Sequence, residues 1–196
     1  MSTQTLEKST NSAIDTTYHQ ELFERIQTLS FKTGNFVLAS GKASSFYLDC
    51  RKTTLDGRGS FLIGRLCYDI LSDLNIDAVG GMSMGADPIV SSITYRSADV
   101  GRPIQGFLVR KEAKGHGTGK QVEGHLEPWM RVALVEDVVT TGGSTLKAIE
   151  AVERACPGIQ IVKILALVDR EEGAQEAFAK RSIPFERLYS VQSFLS

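Results

Sequence analysis

Cysteine, net charge and long apolar runs are all scarce in this chain, and each scarcity closes off a class of protein. The three cysteines, Cys50, Cys67 and Cys156, form an odd set without metal-ligand spacing. That argues against a disulfide framework and fits the reduced thiols of a cytoplasmic protein. The formal net charge is −1, so no global field draws the chain to nucleic acid or to an anionic membrane. A basic site has to be a local cluster. No apolar run approaches the roughly 20 residues of a membrane span. The stretch 1–17 is polar, rich in Ser and Thr, and lacks the apolar core of a signal peptide, so it reads as a flexible tail. No Gly-Lys-Ser/Thr tripeptide occurs, which excludes the P-loop pattern.

What is present is ordinary in bulk and ordered in pattern. The 196 residues, 42% hydrophobic and 23% charged, suffice for one well-packed core. A single domain over 18–196 is expected, since neither an internal repeat nor a clear linker breaks the run. Leu22, Phe23, Ile26 and Leu29 form a helical stripe. Short apolar runs at 36–38 and 45–48 flank Ser40-Gly41-Lys42 and predict a small hairpin. A helix is expected over 59–74. Strands at 77–81, 105–109, 131–135, 160–168 and 185–191 then alternate with helices at 88–95, 144–154 and 171–180. Such alternation predicts an α/β fold with a mostly parallel central sheet flanked by helices. Residues 111–127 are polar, glycine-rich and without periodicity.

Chemistry concentrates after Arg131. The strand Val132-Ala133-Leu134-Val135 ends in Glu136-Asp137, followed by Val138-Val139-Thr140-Thr141-Gly142-Gly143-Ser144-Thr145 and a helix. Ligands of open α/β sheets bind beyond the carboxyl ends of strands. Glycines let backbone N–H groups approach an anion, and a helix N-terminus adds donors and partial positive charge. This is a phosphate site without a lysine. Adjacent carboxylates would repel a bare phosphate, but they suit the hydroxyls of a phosphorylated sugar, or a metal ion that they face. Any one of these residues could be an ordinary cap or surface acid; the combination argues for a ligand.

The second concentration is Arg110-Lys111-Glu112-Ala113-Lys114-Gly115-His116-Gly117. A long polar loop inside a compact domain is usually functional or disordered. Its cations suit a leaving group whose negative charge grows as a bond breaks, and a closing loop would exclude water. A solvated charged loop is the plainer alternative. His116 is also a candidate acid or base, because imidazole titrates near neutral pH.

The run from Leu134 to Ser144 resembles the phosphoribosyl-diphosphate signature of the type I phosphoribosyltransferases. The resemblance implies that the loop from Val138 to Ser144 holds a 5-phosphate while Glu136 and Asp137 contact ribose hydroxyls. The basic loop is similar to the Arg-Lys-x-x-Lys-x-His-Gly loop of the orotate phosphoribosyltransferases. That likeness implies donor contacts from Arg110, Lys111, Lys114 and His116, with Lys111, Lys114 and His116 catalytic. It also implies a homodimer in which the loop closes over the partner's site. The segment from Phe36 to Arg51 resembles a hood that covers the base, 80–88 a diphosphate-side loop, and 168–173 a turn whose arginine, Arg170, contacts orotate. Thr140 is implied to touch the base as well. Magnesium would come with the donor, with no direct protein ligand. Arg170 has its own warrant: a guanidinium fork matches a carboxylate and ring carbonyls, although Asp169, Glu171 and Glu172 stand ready to pair with it. One departure is Ala39, where several family members carry lysine; Lys42 lies nearby. Phe46 and Tyr47 read equally well as base-stacking surfaces or as hairpin core.

The expected reaction is transfer of phosphoribosyl from its 1-diphosphate to N1 of orotate. The rivals are a transferase for another base on the same scaffold, and a non-catalytic donor-sensing regulator.

Overall fold

The computed structural model describes residues 16–37, 41, 43–112 and 120–195. The expected tail, most of the 40–42 turn, Ala39, Lys114 and His116 therefore lie outside the described residues, apart from positions 16 and 17. Those two already belong to the first helix, α1 (16–25), which passes into a π-turn, Ile26–Ser30. Strands β1 (Phe31–Val37) and β2 (Ala43–Leu48) pair antiparallel as a separate hairpin.

After the hairpin come a one-turn helix α2 (Arg51–Thr54), α3 (Gly57–Ser72), β3 (Ala78–Met82), α4 (Asp87–Asp99) and β4 (Gln105–Val109). They are followed by β5 (Val122–Gly124), β6 (Arg131–Val139), α5 (Gly143–Ala155), β7 (Gln160–Asp169), α6 (Ala174–Ala179) and β8 (Phe185–Ser190), and a 3-10 turn at Val191–Phe194. Helix α3 starts earlier than the apolar spacing suggests, because Asp56 caps it and accepts a hydrogen bond from the Gly59 N–H at 2.8 Å. Two expectations need correction. The stretch 111–127 is not wholly irregular: 122–124 add an antiparallel edge strand to β4. The acid pair does not end its strand either, since β6 runs on to Val139, with Glu136 paired to Ala166 and Val139 to Asp169 of β7. A ladder is made by backbone groups, so a long neighbouring strand carries it past charged side chains.

The six-stranded sheet has the order β5-β4-β3-β6-β7-β8, parallel except at β5. Alternate residues of each strand feed two cores. Val79, Ala133, Val135 and Leu165 join Leu22, Ile26, Leu62, Leu66, Ile89 and Ile93 on the face of α1, α3 and α4. Ala78, Val132, Leu134 and Ile164 join Ile149, Val152 and Phe178 on the face of α5 and α6. The chain leaves β3 through α4 towards β4, and leaves β6 through α5 in the opposite direction, towards β7. Neighbouring strands whose connections diverge open a crevice at their carboxyl ends. The β3–β6 ladder stops at Gly80 and Leu134, so the crevice begins just before Glu136.

Candidate active site

Glu136 is 8% exposed, and its Oε2 accepts a hydrogen bond from Thr145 Oγ1 at 3.0 Å. Burial, reinforced by the neighbouring charge of Asp137, pushes its carboxyl up to about 8, against smaller downward pulls from Thr145 and Lys111. Burial also raises Asp137, although the Val138 N–H donates to its Oδ1 at 2.9 Å and Arg51 faces it. Two glycines make room for this pair. A Cβ on Gly85 would stand 2.5 Å from Asp137 Oδ1, and one on Gly81 would stand 2.3 Å from the Val135 carbonyl oxygen. The cleft therefore holds two acids whose ionised forms are poorly solvated, an arrangement that favours a ligand presenting hydroxyl donors.

The loop after β6 turns at Gly142, whose φ of +78° belongs to the left-handed region. A side chain there would also strike the Phe178 ring at 2.7 Å. Helix α5 begins at once, with no side chain capping its start. Its first N–H groups are thus left for a ligand. Residues 138–145 enclose a small pocket of about 90 Å³ with Glu136 on its wall. Thr145 lies on that wall too and was not among the residues expected from the sequence; its spacing from Glu136 across a strand–loop–helix was the available signal.

A larger cleft of about 510 Å³ adjoins the small pocket, and the two share Glu136, Val138 and Ser144. Asp137, Lys111, Tyr47 and the loop Ser83-Met84-Gly85 line it as well. So does Arg51, whose Nε donates to Asp49 Oδ1 at 2.8 Å and whose Nη2 donates to Asp49 Oδ2 at 3.2 Å. Fold topology thus brings Lys111, Glu136, Asp137, Val138 and Ser144 together from two separate motifs. Val139, Thr140, Thr141, Gly142 and Gly143 stay with the small pocket.

Two arginines stand elsewhere. Arg110 turns its Nε to Glu123 of β5 at 3.0 Å and is not on the cleft wall. Arg170 follows β7, and its backbone N–H donates to the Val139 carbonyl at 2.9 Å, beside the glycine loop. Its side chain, 11% exposed, pairs with Glu172 at 3.0 Å, and its guanidinium lies 4.7 Å from the Phe46 ring centroid. The ion pair foreseen for this residue is present, and Phe46 meets Arg170. The turn around it is pinned by Asp169, which accepts from Arg187 Nη1 and from the Glu171 N–H, both at 2.8 Å.

No model of a known protein family matches the chain. Individual proteins do. The chain is 44% identical over 179 residues to the orotate phosphoribosyltransferase of Rhodopirellula baltica, covering 88% of this chain and 92% of that one. It is 42% identical to the orotate phosphoribosyltransferase of Aquifex aeolicus, covering 90% and 97%. Among solved structures, it superposes on Mycobacterium tuberculosis orotate phosphoribosyltransferase in complex with 5-phospho-α-D-ribosyl 1-diphosphate. The TM-score is 0.76 at 34% identity, over 91% of this chain and 99% of that one.

Proposed function

The chain belongs to the orotate phosphoribosyltransferase family, and from that membership we propose how its residues divide the work. The reaction moves the phosphoribosyl group of 5-phosphoribosyl 1-diphosphate to orotate, giving orotidine 5′-phosphate and diphosphate in pyrimidine biosynthesis. The observation that carries the division is the join between the two spaces: Glu136 lines both the small pocket and the larger cleft. A 5-phosphate in the small pocket, held by the backbone and hydroxyls of 138–144, puts the ribose hydroxyls beside Glu136 and Asp137. The diphosphate then extends into the cleft towards Lys111 and the loop 83–85.

The bond from C1 to the diphosphate oxygen breaks with its electron pair leaving on oxygen. N1 of orotate forms the new bond to C1, and its proton is taken up by the departing diphosphate. Lys111, Lys114 and His116, with Arg110 in support, meet the charge that grows on the departing diphosphate. Thr140 and Arg170 hold the orotate. Positioning and electrostatics supply the catalysis. Among the described residues no group of three or more His, Cys, Asp or Glu stands together to hold a metal. The expected magnesium would arrive with the donor. When bound, magnesium supplies charge neutralisation for the leaving group.

The working unit is a homodimer whose basic loop reaches the partner's cleft. The likeness of the basic loop to that of the family supports this reading; within the chain, Lys111 lines the cleft and Arg110 turns to Glu123. No described helix is long and apolar enough to cross a membrane; the enzyme is read as cytoplasmic, working on small molecules.

An absorbance assay for loss of orotate, with donor and magnesium, tests the whole reading. Orotate should be consumed with one diphosphate released per turnover, while adenine, hypoxanthine and uracil stay intact. Donor binding without turnover on any base would make the chain a donor-sensing regulator instead. Mixing Lys114→Ala and Asp137→Asn protein tests the shared loop. Recovery of activity in mixed dimers is expected, and its absence would confine each loop to its own cleft.

A further inference from the structure

The Arg170 guanidinium is fixed on two sides. Glu172 Oε1 accepts from its Nε at 3.0 Å, and the Phe46 ring lies against it at 4.7 Å. With Nε engaged and one face covered, the Nη edge is the part of the fork that can meet a planar acceptor. The ring beneath it does not stand alone. Phe46 stacks on Phe31 of β1, with centroids 5.6 Å apart and planes at 24°. Phe31 stacks on Phe194 of the 3-10 turn at 5.6 Å and 28°. Phe194 stacks on Phe23 of α1 at 4.5 Å and 13°. Four rings from four separate segments thus make a file that ends on a cation.

We infer that Phe46 is a positioning residue for Arg170, and that the ring file behind it sets the plane in which Arg170 presents its fork to the carboxylate of the pyrimidine acceptor. The inference rests on the reading of Arg170 as the orotate contact. Its physical basis is the flat, delocalised guanidinium. An aromatic face holds that group in one orientation, and the attraction grows where water is excluded, as it is around a side chain only 11% exposed. An aliphatic side chain of similar volume fills the same space without orienting the fork. Of the two candidate roles for Phe46, hairpin core is present in its stacking on Phe31, and the contact with Arg170 adds a further one. Tyr47, next along the strand, stays on the cleft wall.

Steady-state kinetics on single and paired variants test this. Phe46→Leu should raise the KM for orotate about tenfold, with kcat and the donor KM changed less than about twofold. Phe46→Tyr should restore most of the loss, because it keeps the ring. In an Arg170→Ala background, Phe46→Leu should add less than about twofold, since two residues acting through one contact are not additive. Should Phe46→Leu fold poorly, Phe194→Ala, two rings further back, gives the same readout at about two- to threefold on orotate alone. Full additivity in the double variant, or a donor KM that rises in step with the orotate KM, would return Phe46 to the role of ordinary hairpin core. An unchanged orotate KM in Arg170→Ala would remove the reading of Arg170 itself. A raised orotate KM there, with none in Phe46→Leu, would sink the positioning role alone.

Discussion

Residues 136–145 supply the acid pair, the glycine loop and the start of α5 in one unbroken run. The hood side gathers Phe46 and Tyr47 from β2, Arg51 from α2 and Arg170 from beyond β7. One half of the site is thus local, braced by glycines that admit close packing and by a hydrogen bond spanning nine positions from Thr145 to Glu136. The other half exists only after distant segments have packed, as the 124 positions between Phe46 and Arg170 make plain. The contrast separates two kinds of dependence. On the proposed division, the half that would hold the donor should respond to changes of backbone and charge within its own segment, and the half that would meet the acceptor to packing far from the ligand.

The widest effect should come from the basic loop proposed to meet the departing diphosphate. Lys114→Ala is expected to lower turnover on the order of a hundredfold with modest loss of donor binding. Unchanged turnover in a rapid-quench assay would take this lysine out of the chemistry. The donor half breaks next, at its turn. Gly142→Ala forces a side chain into a left-handed conformation and against Phe178, which should cost about 2–3 kcal/mol in urea unfolding. A loss of phosphate affinity without a loss of stability would show that the turn is looser than its contacts require.

The acid pair sharpens the comparison through pH. Glu136 is raised to about 8 from its ordinary 4.5, so between those values the folded chain holds a proton that the unfolded chain has lost. Its contribution to stability is therefore complete below 4.5 and is lost as pH rises through about 8. Between pH 6 and 7 the decline should be roughly 1 kcal/mol. Glu136→Gln, which cannot ionise and still accepts from Thr145, should flatten it. An equal slope in the variant would place the titration elsewhere. The smallest effect is expected from Thr145→Val, which keeps the shape and removes the donor: about 0.5–1 kcal/mol in stability, with donor KM raised and orotate KM unmoved. Equal changes in both constants would mean that Thr145 supports the fold rather than Glu136.

The same contrast explains what could be read from the chain. The strand, acids, glycines and helix start were legible because their roles are fixed by order along one segment. The alternation of strands and helices foretold the sheet, since each burial pattern repeats within a few residues. Three features escaped. The extension of β6 through Glu136 depends on the length of β7, which lies elsewhere in sequence. The edge strand at 122–124 is too short to show a period and is held by β4. The meeting of Arg170 with Phe46 needs the hairpin to fold back over the sheet, and no spacing encodes that.

The crevice between β3 and β6 has one more consequence, and it concerns descent. Every parallel strand brings its carboxyl end to the same rim, while the two cores are filled from the strand interiors and helices behind it. The hairpin, by contrast, enters one of those cores through Phe31, with Phe46 packed against it. On the proposed reading, a lineage that changed its acceptor would have to change core packing along with it, while the segment proposed for the donor could stay as it is.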